Sequence, residues 1–232
     1  MYGHPLIRLL GLATGFVTLA APAAACRLAL LLAIDVSASV SAREFDLQRN
    51  GLAAALTAPE VQAAFLSSPD PVALSAYEWS GQWNQQVLLD WTMIKGTEDL
   101  AAAAAEIVRA RRSANGFPTS IGYALGFGSR MLSDAPHCLR QTIDLSGDGK
   151  NNHGFGPRLA LKHFPMNDVT INALAIGGAI ELDDLMDYFR HEVIQGPGAF
   201  VEAASDHGDF ERAMRRKLER EVSVRAIGQL AE

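Results

Sequence analysis

The sequence predicts an α/β fold: a doubly wound, mostly parallel six-stranded sheet with one antiparallel edge strand and helices on both faces. Three observations carry this expectation. Leu28–Ile34 is an unbroken apolar run, as found in strands buried on both faces of a parallel sheet. Strand-length apolar runs alternate with helix-length amphipathic ones, the order that parallel βαβ units produce. Two strand-like runs, 71–80 and 86–94, are joined by the short turn GQWNQ, which makes that pair an antiparallel hairpin.

The elements follow in order. The first strand, LALLLAI, runs into Asp35. Ser41 opens the helical stretch SAREFDLQRNGLAAAL, with Glu44 at the spacing of a capping box. PVALSAYEWS and QVLLDWTMI are the hairpin strands. Thr97 caps a helix through about Arg112, helped by the alanine run 101–105. The polar segment SANGFP precedes a helix from Thr119 to Leu132. Leu139–Leu145 is the next strand, followed by the loop SGDGKNNHGFGP. A helix near Arg158–His163 leads to the strand Val169–Ile176, and Gly177-Gly178 to a helix around Leu182–Arg190. GPGAFVEA holds a short last strand, and Asp206–Val222 is a terminal amphipathic helix. There is no internal repeat and no low-complexity linker.

The chain has 232 residues, about half of them apolar. That is enough for one sizeable core, and roughly 200–250 residues suits a single α/β domain. A formal net charge of −6 argues against a nucleic-acid partner. The basic cluster Arg212, Arg215, Arg216, Lys217 and Arg220 is interleaved with Glu211, Glu219 and Glu221. It reads as a solvated helix face with intrahelical ion pairs.

Arg8, the apolar run LLGLATGFVTLA and the small residues APAAA form a secretory signal peptide over 1–25, leaving 26–232 as one domain. The apolar run before Pro22 is shorter than the roughly 20 residues a membrane span needs. The run after Arg27 is the first strand, so no stable span is expected once the signal is cleaved. The mature protein is then periplasmic or secreted. Cleavage after Ala25 puts Cys26 first, a position that can be lipidated, but the preceding AAA lacks the large aliphatic residue usual three places ahead. With Cys138 as the only other cysteine, an exported chain suggests a disulfide instead.

Three segments carry the chemistry: Asp35-Val36-Ser37-Ala38-Ser39, Thr119 at the start of a helix, and Asp148 within Ser146-Gly147-Asp148-Gly149. The first and third follow strands that flank the point where a doubly wound sheet reverses its order, which is where such sheets bind ligands. Two carboxylates with the hydroxyls of Ser37, Ser39 and Thr119 suit a hard cation such as Mg²⁺, with Mn²⁺ or Ca²⁺ as alternatives. No Cys/His cluster is present, which disfavours zinc. Few anionic donors leave the ion residual positive charge, so one coordination position can take an acidic group from a partner.

D-x-S-x-S after an apolar strand, a later Thr at a loop–helix junction and a later D-G after another strand resemble the metal-ion-dependent adhesion site of von Willebrand factor A (VWA) domains. The third part departs from the common T-D-G by reading S-G-D-G. Asp148 aligns because Gly149 follows it, with Asp144 as the fallback. YEWSG at 77–81, DLSGDGKNN at 144–152 and GPGAFVEA at 197–204 resemble a family of exported bacterial VWA-like proteins of unknown function. The resemblance covers essentially the whole mature chain. It implies a VWA fold and a metal site of Asp35, Ser37, Ser39, Thr119 and Asp148. VWA sheets place their first and fourth strands side by side and parallel. Cys26 lies nine residues before Asp35 and Cys138 ten before Asp148, so the resemblance also implies a Cys26–Cys138 disulfide.

Other residues carry weaker expectations. Asp144 reads as a buried carboxylate supporting the loop, or as a support of the metal ligands. Glu78 reads as a surface or hydrogen-bonded glutamate, with a place near the ion as the alternative. Trp83, in the hairpin turn, reads as partly buried rather than as a partner anchor. His153 belongs to a solvated loop that could border the ligand surface. His137, His163, His191 and His207 form no ligand spacing. The function expected is non-enzymatic: a divalent-cation-binding, adhesion-type module that captures an acidic residue of an unidentified protein partner. Two alternatives stand beside it. One is a Mg²⁺-dependent hydrolase of the haloacid dehalogenase type, which would need a second Asp where Ser37 stands. The other is a VWA scaffold whose metal is purely structural.

Overall fold

The computed structural model describes residues 26–113 and 116–223. The segment expected to be a signal peptide, 1–25, lies outside the described residues. Six strands form one sheet: β1 (Leu28–Asp35), β2 (Val72–Trp79), β3 (Gln85–Ile94), β4 (Gln141–Gly147), β5 (Val169–Ile176) and β6 (Val201–Ala204). Their order is β3-β2-β1-β4-β5-β6, with every pair parallel except β2–β3. The expected sheet, with its antiparallel edge strand, is therefore the observed one.

Every residue of β1 and of β2 is buried, which is why β1 reads as a continuous apolar run rather than an alternating one. Leu28, Leu30, Leu32 and Ile34 face a core layer made with α1 (Ala42–Thr57), α2 (Pro59–Phe65), α3 (Thr97–Arg109) and α7 (Phe210–Val222). Ala29, Leu31 and Ala33 face the opposite layer, with α4 (Ile121–Ser133), α5 (Pro157–His163) and α6 (Leu182–Tyr188). A π-helical turn, Phe189–Val193, extends α6. Among the described residues, no helix is long and apolar enough to cross a membrane.

Several boundaries differ from expectation, each for a local reason. The Ser41/Glu44 capping box is present and the stretch expected after it is α1, but a second helix that was not expected, α2, follows at once, opened by Pro59 at the position where a missing N–H costs nothing. Thr97 is not the cap of α3; Asp99 reaches back to accept from Lys95 N–H at 2.8 Å and Gly96 N–H at 3.0 Å. The helix expected from Thr119 begins two residues later, leaving Thr119 in the loop. Strand β4 starts at Gln141, and Leu139 lies before it beside the isolated Cys26–Cys138 bridge, its N–H donating to Cys26 O at 3.0 Å. Helix α7 starts at Phe210, since Asp206 is used in a turn that accepts Asp209 N–H.

Cys26 and Cys138 are joined in a disulfide, with Cα atoms 4.5 Å apart. It ties the entrance of β1 to that of β4, at the end of the sheet opposite Asp35.

Candidate metal centre

β1 and β4 are hydrogen-bonded neighbours from which the chain departs in opposite directions across the sheet, so their carboxyl ends open a crevice. Asp35 ends β1 inside it and is fully buried. The β1–α1 loop turns back so that Ser37 N–H donates to Asp35 Oδ1 at 2.7 Å. From there runs a chain of oxygens. Thr119 Oγ1 lies 3.2 Å from Ser37 Oγ, Ser37 Oγ lies 3.1 Å from Ser39 Oγ, and Ser39 Oγ donates to Asp148 Oδ1 at 2.6 Å. All five residues singled out in the sequence thus meet in one place. Asp144 does not join them: it is buried in mid-sheet, with Lys217 Nζ 2.9 Å from its Oδ1.

The loops are held by partners that the sequence did not advertise. Arg112 donates from one guanidinium nitrogen to the carbonyls of Val36 (2.8 Å), Ser37 (3.1 Å) and Val40 (2.8 Å). Asn152 brackets Thr119, accepting its N–H at 2.9 Å and donating its own N–H to the Thr119 carbonyl at 3.0 Å. Asn and Arg in polar loops carry no periodicity, so only the fold reveals these roles. Glu78 is buried at the end of β2 and takes the Ser113 N–H.

Asp35 is left with an unpartnered oxygen. Its Oδ2 is buried and has no hydrogen-bond partner. Gly147 leaves space beside it; a Cβ there would come within 3.2 Å of Oδ2. Burial raises the Asp35 carboxyl above the usual carboxylate range, the negative charge of Asp148 raises it further, and the Ser37 and Asp148 N–H groups only partly oppose this. A cation would reverse that balance. Among the described residues, no three His, Cys, Asp or Glu side chains assemble as a cluster, so any ion here rests on two carboxylates and three hydroxyls. That all-oxygen, low-charge set fits Mg²⁺ or a similar hard ion. Asp35, Ser37, Ser39, Thr119 and Asp148 are the residues that would hold it, directly or through water.

Other residues around the crevice depart from expectation. Trp83 is 87% exposed rather than partly buried, because the β2–β3 turn carries it away from both core layers. His153 is exposed, with Nδ1 3.2 Å from Ser120 Oγ. Lys217 is the clearest correction. It belongs to a basic cluster that reads as solvated, yet it is fully buried between Asp144 and Glu221.

This sheet order, with an oxygen-rich crevice where it reverses, defines a VWA-type domain. Residues 25–226 match the family described as a protein of unknown function, DUF1194, and the chain belongs to that family. No curated protein matches the sequence. Among solved structures, the chain is similar to proximal thread matrix protein 1 from the mussel byssus, in a form whose MIDAS motif holds zinc (TM-score 0.58, 15% identity, 84% of this chain and 48% of that one). It is similar to a von Willebrand factor type A protein from Catenulispora acidiphila (0.56, 19%, 85% and 43%). It is also similar to the pilus adhesin SpaC from Lactobacillus rhamnosus GG (0.60, 13%, 85% and 31%). The chain spans less than half the length of each of these three. At such identities the likeness is one of fold.

Proposed function

We propose that this protein is an exported, cation-dependent interaction module. Residues 1–25 are removed as a signal peptide, and the domain that follows uses Asp35, Ser37, Ser39, Thr119 and Asp148 to hold Mg²⁺, or Mn²⁺ or Ca²⁺. The ion then captures an acidic residue of a protein partner. The observation that carries this reading is the buried, unpartnered Asp35 Oδ2 at the head of a continuous run of hydroxyls. Such a carboxylate is costly to bury alone, and its neighbours are arranged as oxygen donors rather than as counter-ions. The zinc-occupied MIDAS of the mussel protein and the adhesin neighbour lend it support by fold. Ser37 stands where a haloacid-dehalogenase-type hydrolase needs its acid, so the site is read as binding without hydrolysis.

Calorimetric titration with Mg²⁺ and Mn²⁺ tests the assignment. The parent should bind one ion, and Asp35→Ala and Asp148→Ala should each weaken binding by at least about tenfold, roughly 1.4 kcal/mol. Equal binding by all three proteins would remove the site.

A further inference from the structure

We propose that Lys217 and Asp144 condense to an amide, a covalent cross-link between α7 and β4 that the folded chain forms by itself with Glu221 as proton carrier. The inference is independent of the metal site.

Three ionisable side chains meet between the sheet and α7, and all are buried: Asp144, Lys217 and Glu221. They are not bonded alike. Lys217 Nζ donates to Glu221 Oε1 at 2.7 Å, and Asn172 Nδ2 lies 2.9 Å from both Glu221 oxygens. Asn172 is held in turn by Phe200 N–H, which donates to its Oδ1 at 2.9 Å. Glu221 is thus a well-bonded carboxylate. Asp144 is bare. Both of its oxygens are buried without a hydrogen-bond partner, although Lys217 Nζ stands 2.9 Å from Oδ1. A buried ion pair offsets its desolvation through aligned hydrogen bonds. Here the nitrogen touches the carboxyl group without that alignment, at the separation from which an amine attacks a carboxyl carbon.

The protons balance. Burial lifts the Asp144 carboxyl above the usual carboxylate range; Lys217 opposes this and Glu221 adds to it. Asp144 is therefore the member that takes up a proton. The two carboxylates hold the lysine's own proton against the cost of burial, so the amine is freed by handing that proton along the 2.7 Å bond to Glu221. Nζ then attacks Cγ of the protonated Asp144. The C–N bond forms and the C–OH bond breaks. Glu221 gives its proton to the departing hydroxyl, which leaves as water, and takes the second proton that the nitrogen sheds. The products are one amide, one water and a neutral Glu221; nothing is oxidised or reduced, and no co-reactant is consumed. The step replaces a buried ammonium and a buried carboxylate by neutral groups. A cleft of about 180 Å³, bordered by Glu221, Asn172 and Phe200, gives the water an exit. Until the step occurs the three groups are an ion cluster, whose own contribution to stability is read on chain of uncondensed mass.

The bond has a place in the architecture. The disulfide closes the chain from β1 to β4, and the amide closes it from β4 to α7. Together they tie both halves of the sheet to its central strands.

The test is the mass of the purified protein, reduced and unfolded, after incubation at mildly acidic pH. The parent should be lighter by one water than the sequence from its determined N-terminus. Its tryptic digest should contain one branched peptide that joins the Asp144 and Lys217 segments. Lys217→Arg keeps the charge and removes the nucleophile, and Glu221→Gln removes the proton carrier; each should show the full mass and separate peptides. A parent of full mass with the two segments in separate peptides overturns the cross-link. So does a loss of water that persists in Lys217→Arg, because an aspartate closing to a succinimide loses the same mass. If Lys217→Arg does not fold, the parent's digest decides alone, by the branched peptide or the separate ones. A Glu221→Gln protein branched like the parent would overturn the role given to Glu221.

Discussion

At Asp35 the two carboxylate oxygens differ in kind: Oδ1 takes the Ser37 N–H, while Oδ2 is buried without a partner. A group that destabilises the metal-free fold and serves the ligand is typical of a binding site. Asp35→Asn removes the charge and keeps the shape. In EDTA at neutral pH it should raise stability, because the parent's raised carboxyl holds a proton in the fold that the unfolded chain has released, read as an upward shift in the urea midpoint. In Mn²⁺ the order should reverse if the parent binds the ion. A variant less stable than the parent in EDTA would show that the carboxylate is satisfied without metal. Glu78 makes a related point through pH. Burial pushes its carboxyl up, against the Ser113 hydrogen bonds and Arg112. The folded chain thus holds this proton after the unfolded chain has released it, and stability falls as pH rises past about 4.5, the ordinary value. Glu78→Gln deletes that proton and keeps an acceptor for the Ser113 N–H. Urea midpoints from pH 4.5 to 7 should therefore decline less in the variant, by at most about 1.4 kcal/mol per pH unit. Parallel declines would mean that Glu78 ionises in the fold as easily as outside it.

Among the elements, what pattern could reveal and what it could not separate cleanly. The apolar run of β1 and the D-x-S-x-S that follows it are local in sequence, so strand, loop and ligands were legible together. Arg27 was legible only as a break between two apolar runs. In the fold it is buried and donates to the carbonyls of Ala64, Phe65 and Val222, closing the carboxyl ends of α2 and α7. Lys217 was hidden by its neighbours: arginines at 212, 215, 216 and 220 make the helix look solvated all round. Its ammonium instead lies 2.9 Å from Asp144 Oδ1 and 2.7 Å from Glu221 Oε1, and Asn172 Nδ2 is 2.9 Å from both Glu221 oxygens. Burial and Glu221 raise the Asp144 carboxyl while Lys217 opposes them, and the two carboxylates in turn raise the lysine. This cluster fastens α7 to β4 and β5. Lys217→Met would leave two carboxylates facing one another in the core, and should destabilise the fold by about 3–5 kcal/mol. Replacing Asp144, Lys217 and Glu221 together by apolar residues of similar volume should recover most of that loss. If the single variant unfolds at the parent's urea concentration, the cluster contributes nothing to the docking of α7.

For the molecule as a whole, the disulfide and the crevice mark opposite ends of the same two strands. Cys26 precedes β1 and Cys138 precedes β4, 112 residues apart in sequence. The bond closes most of the first sheet half, α1 to α4, into a loop. It thereby restricts the unfolded chain far more than the folded one, in which Leu139 N–H to Cys26 O and Ala29 N–H to Arg140 O already join the two strands. For a loop of this size the chain-entropy estimate is roughly 4–5 kcal/mol. In a domain of this length, each kcal/mol moves the thermal midpoint by about 2–4 °C, so a Cys26→Ser/Cys138→Ser variant should melt roughly 10–20 °C below the oxidised parent. The parent in dithiothreitol should approach the variant. Because the strand pairing that fixes Asp35 against Gly147 does not run through the sulfurs, the variant should keep the parent's Mn²⁺ affinity at temperatures well below its melting point. A variant that melts with the parent would show that the unfolded chain is already restrained between these strands. One that melts lower and also loses the ion would show that the far end of the sheet sets the crevice.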